Sequence, residues 1–118
     1  MHPFDELRRN RFIRKLRSTA IAITTRRIGP HEGYAKMNYL IGRIEDILPL
    51  QEIHLEVCRK YDHEIMNYPI GEERQHYNKE YLAALDLKLA VIDRKYQEML
   101  QEKCLEIIEK FSDIKDRC

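Results

Sequence analysis

Residues 78–111, NKEYLAALDLKLAVIDRKYQEMLQEKCLEIIEKF, decide how the chain is read. Their apolar members Leu82, Leu85, Leu89, Ile92, Tyr96 and Met99 recur at steps of three and four, the period of one face of an α-helix. From Leu100 the face continues through Cys104, Ile107, Ile108 and Phe111. The changed step is a stutter, which argues against one uniform supercoil along the whole length. Neither Gly nor Pro interrupts the stretch, and Asn78 is suited to cap it by accepting an orphan backbone N–H. At 1.5 Å per residue the helix should be about 50 Å long. Its polar side carries both signs of charge, including Asp86, Lys88, Asp93, Arg94, Lys95, Glu98, Glu102 and Glu106. An amphipathic helix of this kind is held by burying its stripe against other helices. The segment is expected to be a spine on which the rest of the chain packs.

The upstream sequence supplies the partners. A first helix is expected from about Asp5, with Asp5 and Glu6 at its positive end. Leu7, Ile13, Leu16, Ala20 and Ile23 form its stripe. Gly29 is the expected left-handed cap, and Pro30 opens a second helix over residues 31–48. There Ala35, Met37, Leu40, Ile41, Ile44 and Leu48 form the buried side, and Gly33 and Gly42 are expected to allow close helix contact. Pro49 breaks that helix. A third is expected over residues 50–65, with Ile53, Val57, Tyr61 and Ile65 spaced by four. Asn67-Tyr68-Pro69-Ile70-Gly71 reads as a loop, and residues 72–77 as a short helical turn. The pattern predicts an all-α fold. Its expected architecture is a single antiparallel bundle of three shorter helices on one long C-terminal helix, one domain spanning residues 1–118.

The totals agree. A chain of 118 residues can bury a core without covalent staples, and a charged fraction of 35% suits a thin-cored helical protein. Four Gly and four Pro provide too few turns for an all-β fold. The longest apolar run, Ala20-Ile21-Ala22-Ile23, is far too short to span a membrane. Three widely spaced cysteines, Cys58, Cys104 and Cys118, make no disulfide framework. With no secretory signal visible at the N-terminus, the expected location is the cytoplasm.

The net charge of +1 conceals a polarity. Residues 1–27 carry a local balance of +6, whereas residues 45–73 carry −6. Arg8, Arg11 and Lys15 share one face, with Arg14 and Arg17 beside it, and that face could contact phosphates. Only Phe12 is near it to stack on bases, so nucleic-acid binding ranks second to a solvated face pairing with the acidic segment. In the acidic segment, Glu52, Glu56, Asp62, Glu64, Glu72 and Glu73 occur with Tyr61 and Tyr68. Tyrosines set in a charged rim are the composition of a protein-binding surface.

Catalytic and metal motifs are missing from this pattern. Glu73-Arg74-Gln75-His76 has the Glu-x-x-His step of di-iron bundles, but that chemistry needs a second such step and further carboxylates. Cys104 lies on the spine's apolar stripe, where a small core residue is the plainer reading. Neither a Ser-His-Asp set nor a glycine-rich phosphate loop occurs. The expectation is a protein with no enzymatic activity, no cofactor and no metal.

Glu64, Pro69-Ile70-Gly71-Glu72, Arg74 and Tyr77, followed by a long helix with Asp86, Tyr96 and Cys104, form a recognisable pattern. With Leu16-Arg17 and Ile28-Gly29-Pro30-His31-Glu32-Gly33 upstream, it resembles a family of small bacterial helical proteins of unassigned function over residues 15–110. In size and charge polarity the chain also looks like the immunity proteins encoded beside bacterial toxins. That resemblance implies a protein that binds a cognate toxin, such as a nuclease domain, and blocks its active site. It implies a binding surface at Glu52, Glu56, Tyr61, Asp62, Glu64, Tyr68, Glu72 and Glu73; Glu64 and Arg74 are expected either to form an ion pair fixing the loop or to tie the third helix to the spine.

Overall fold

The computed structural model describes residues 2–114. Among them every regular element is helical, and the expected order is found. Helix α1 spans Pro3–Thr24, α2 Pro30–Ile47 and α3 Glu56–Ile65; a 3₁₀ turn covers Gly71–His76, and the long α4 covers Lys79–Lys110. Asn78 caps α4 by accepting the Tyr81 N–H at 2.7 Å. Its 32 residues account for the long dimension of the molecule, 51 Å against 27 and 23 Å across. The radius of gyration, 15.7 Å, exceeds the roughly 13.5 Å of a compact chain this long. The spine therefore extends beyond the bundle.

The core explains where. Helix α1 packs against α2 and α4, and α3 packs against α4 and α2. Ile13, Leu16 and Ala20 of α1 meet Met37, Leu40, Ile41 and Ile44 of α2, Cys58, Tyr61 and Ile65 of α3, and Leu89, Tyr96, Leu100, Cys104 and Ile107 of α4. Each large side chain so buried contributes about 1.5–3 kcal/mol. On α4 the predicted stripe is buried only from Leu89 onward; Leu82, Leu85 and Ile92 are half-buried and Met99 is exposed. Residues 79–88 hold no buried side chain at all.

Three expectations are corrected. The end of α1 is closed by Arg26, not Gly29. Arg26 takes the left-handed conformation at φ 60°, while its N–H bonds Ile23 O at 3.1 Å and the Arg27 N–H bonds Ala22 O at 2.9 Å. That is a Schellman closure, and its placement leaves Gly29 extended as the N-cap of α2. Second, of the two α2 glycines only Gly33 permits close contact. A Cβ there would lie 2.4 Å from Ile23 Cγ1, whereas one at Gly42 meets nothing nearer than Arg59 Nη2 at 4.0 Å. The buried face of α2 is turned correspondingly, with Tyr34 in place of Ala35 and Leu48 left exposed.

Third, α3 begins at Glu56 rather than near Leu50. The chain after Pro49 is irregular, and Ile53 and Leu55 are buried from it two residues apart. Arg9 of α1 holds this exit from α2, its Nε donating to Leu48 O at 2.8 Å and its Nη2 to Pro49 O at 3.4 Å. The Leu48 carbonyl, at the C-cap of α2, would otherwise lack a helical partner. Among the described residues no helix is long and apolar enough to cross a membrane.

Candidate partner-binding surface

The acidic residues flank α3 rather than covering one face of it. Glu52 lies exposed in the segment before the helix, Glu56 in its first turn, and Glu72 beyond the Pro69 loop. Among the described residues Glu56 and Glu72 enter no ion pair. The other acids are engaged. Asp62 accepts from Asn38 Nδ2 at 2.9 Å, and Glu73 accepts the Ile70 N–H at 2.8 Å and fixes the turn. Glu64 stands 3.8 Å from Lys95 of α4.

The expected Glu64–Arg74 pair is replaced by another. Arg74 makes a two-pronged bond to Asp86 on α4, both contacts 2.8 Å. Its guanidinium holds the Asp86 carboxyl below the usual carboxylate range. A planar fork matched to two oxygens is the strongest arrangement available to Arg, and it fastens the 3₁₀ turn to the spine.

Tyr61 cannot be a surface anchor. It is 2% exposed, packs edge-on against Tyr34 and Tyr96 with ring centroids 5.5 Å apart in each pair, and donates its hydroxyl to Asp93. Burial, then the neighbouring Asp93, pushes its ionisation upward. Tyr68 is half-buried against the core. Among the exposed large side chains near the acids, which include Leu48 and Tyr77, the most exposed are Tyr39 of α2 and Met66 at the end of α3, each 62% exposed. Tyr39 lies in a shallow depression with Glu45, Asp46 and Arg59; Met66 lies in a second with Lys60, His63 and Glu64. Asn38 and Arg59 line both, so the two depressions form one α2–α3 surface. The sequence held a signal for Tyr39: it falls outside the Met37, Leu40, Ile41, Ile44 period. Met66 follows the expected end of α3 at Ile65, and an apolar residue just past a helix end carries no sign of which way it faces.

Across α1 the cations are largely structural. Arg9 holds the α2 exit, Arg17 donates from Nε to Ile108 O of α4 at 2.9 Å, and Arg8 lies 3.6 Å from Asp5. Arg11 and Lys15 are exposed. Arg9 and Arg17 thus bind backbone carbonyls at the ends of α2 and α4.

A hollow of about 830 Å³ lies between the α1–α2 junction and α4. Ile23, Ile28, Tyr34, Tyr61 and Leu100 line it, with Arg26 and Arg27. At its wall Asp93 accepts from the Tyr61 hydroxyl at 2.6 Å and lies 2.7 Å from His31 Nε2. Burial pushes the Cys58 thiol up to about 12 and the Cys104 thiol up to about 11, which favours their protonated forms at neutral pH. Cys118 lies outside the described residues. Among the described residues no three His, Cys, Asp or Glu side chains gather as a metal site. Comparison of the chain with protein-family models, with curated proteins and with solved structures finds no match.

Proposed function

We propose that the chain is a non-catalytic inhibitor that binds another protein through the α2–α3 surface, in the manner of an immunity protein neutralising a toxin nuclease in the cytoplasm. The observation that carries this reading is the pairing of two exposed, non-charged side chains, Tyr39 and Met66, with carboxylates around them. Large adaptable contacts inside a charged rim suit a protein partner. Glu52, Glu56 and Glu72 supply a field that accelerates encounter with a basic active-site cleft.

The frame suits the task. We read it as one domain and an antiparallel bundle. Arg9, early in α1, reaches Leu48 at the end of α2, and Arg17 reaches Ile108 near the end of α4. Arg59, early in α3, reaches Glu45 late in α2 at 2.9 Å. A surface fixed in this way binds without first having to be ordered.

The test is association with the toxin domain encoded beside this chain, followed by stopped-flow mixing at several salt concentrations. Reversing charge at Glu52, Glu56 and Glu72 together should slow association about tenfold at low salt and flatten its salt dependence. Tyr39→Ala should speed dissociation instead. Association that ignores both changes would remove this surface. A second reading, phosphate binding by the exposed Arg11 and Lys15, predicts retention on DNA that falls steeply with salt; a gel shift with no complex at low ionic strength ends it.

A further inference from the structure

The first half of α4 leaves the bundle with an apolar side turned to water. Leu87 is 74% exposed and Val91 65%, while Leu89 between them is 4% exposed. Successive helical residues are about 100° apart, so Ala83, Ala84, Leu87, Ala90 and Val91 fall within about 120° of each other, opposite Leu89 and Leu100. All five are exposed. One leucine amid four smaller residues is a shape that admits a second helix at close range.

The charges around this face identify the occupant. Glu80 and Arg94 stand seven residues before and after Leu87, two turns away on the same side. Among the described residues neither forms an ion pair. Against an antiparallel copy of the same helix, with the two-fold axis at Leu87, Glu80 of each chain meets Arg94 of the other. Ala83 then meets Val91, Ala84 meets Ala90, and Leu87 meets itself. A parallel pairing would set Glu80 on Glu80 and Arg94 on Arg94. The face is therefore complementary to itself in one orientation, as a two-fold interface requires.

We propose that two copies of this chain associate through an antiparallel pair of α4 helices centred on Leu87. The pairing spans about 21 Å of helix. A single pair of helices in contact over that length is a small interface beside the roughly 800 Å² per partner of a standard one, so the dimer is reversible and concentration-dependent. None of the paired residues lines the two α2–α3 depressions, although Lys95, the neighbour of Arg94, borders the one at Met66.

Sedimentation equilibrium of the whole chain carrying Cys118→Ser tests the register. The mass should rise from 14.3 kDa toward twice that value between about 10 µM and 1 mM, the weak range of small interfaces. Glu80→Arg should weaken association about tenfold by opposing like charges across the pair. Adding Arg94→Glu to that variant should restore it to within about threefold, which simple damage to one chain could not produce. In the same Cys118→Ser background, Leu87→Cys should form an interchain disulfide on mild oxidation and Glu98→Cys should not. A chain that stays monomeric to 1 mM, or a dimer that the double exchange fails to recover, overturns the proposal.

Discussion

The Tyr61 hydroxyl donates to Asp93 Oδ1 at 2.6 Å, and the other oxygen of the same carboxylate lies 2.7 Å from His31 Nε2. One side chain in the middle of α4 thereby ties the short helix α3 and the first turn of α2 to the spine. A hydrogen bond to a charged acceptor is worth about 1.5–3 kcal/mol, more than a neutral pair. Tyr61→Phe keeps the ring and its edge-on contacts but loses this bond. Urea unfolding should show a loss in that range. A midpoint unchanged from the parent would mean that water replaces the hydroxyl without cost.

The buried thiols make a prediction on the alkaline side. Cys58 is raised from 9.0 to about 12 and Cys104 from 9.0 to about 11, in both cases first by burial. Below pH 9 both folded and unfolded chains hold these protons, and the thiols add no pH dependence. Above it the unfolded chain ionises first and binds fewer protons, so stability falls as pH rises toward the folded values. Each thiol contributes at most about 1.4 kcal/mol per pH unit to that decline. With Cys118→Ser as background, replacing both cysteines by Val should make the fall in urea midpoint between pH 9 and 10 measurably shallower. An identical slope in both proteins would show that the thiols do not drive it.

The two α2 glycines should respond with opposite signs. Gly42→Ala adds a methyl at an open helical position and should stabilise by about 0.5–1 kcal/mol. Gly33→Ala drives its Cβ into the side chain of Ile23, which is β-branched and slow to yield. It should destabilise by about 1–3 kcal/mol, the usual cost of overpacking. In an Ile23→Ala background the same change should become neutral or favourable. Thermal melts of the four proteins close this cycle, and a Gly33→Ala penalty that survives Ile23→Ala would place the clash elsewhere.

What could be read beforehand follows from the range of the interactions. The spine was legible because period and N-cap are local: Asn78 caps α4 where its side chain said it should. The Pro49 break and the turn before Asn78 were local in the same way. The start of α3 was not, because the apolar spacing of Ile53, Val57, Tyr61 and Ile65 fits a helix while Ile53 is in fact buried from an irregular segment. Arg26 was hidden for a related reason, since a Schellman closure by a non-glycine depends on which carbonyls remain unpaired. Acidic composition located the region of the candidate surface but not its anchors. Tyr61 faces inward with Ile65 on the apolar side of α3, where Asp93, 32 residues away, accepts its hydroxyl. Nothing near Tyr61 in sequence announces that acceptor.

Arg17 distinguishes a structural cation from one available to a ligand. It is half-buried, and its Nε donates to Ile108 O close to the end of α4, where carbonyls lack helical partners. Removing it leaves that oxygen to water and strips packing from its alkyl stem. Arg17→Ala should therefore cost about 1–2 kcal/mol, the scale of a charge-assisted bond at a partly exposed site. Amide exchange should accelerate in the last turns of α4 more than in its first ones. Arg11→Ala, on the exposed side of the same helix, should stay within about 0.5 kcal/mol of the parent. Equal losses from both substitutions, or exchange that quickens evenly along α4, would assign the Arg17 effect to helix α1 alone and not to its hold on the spine.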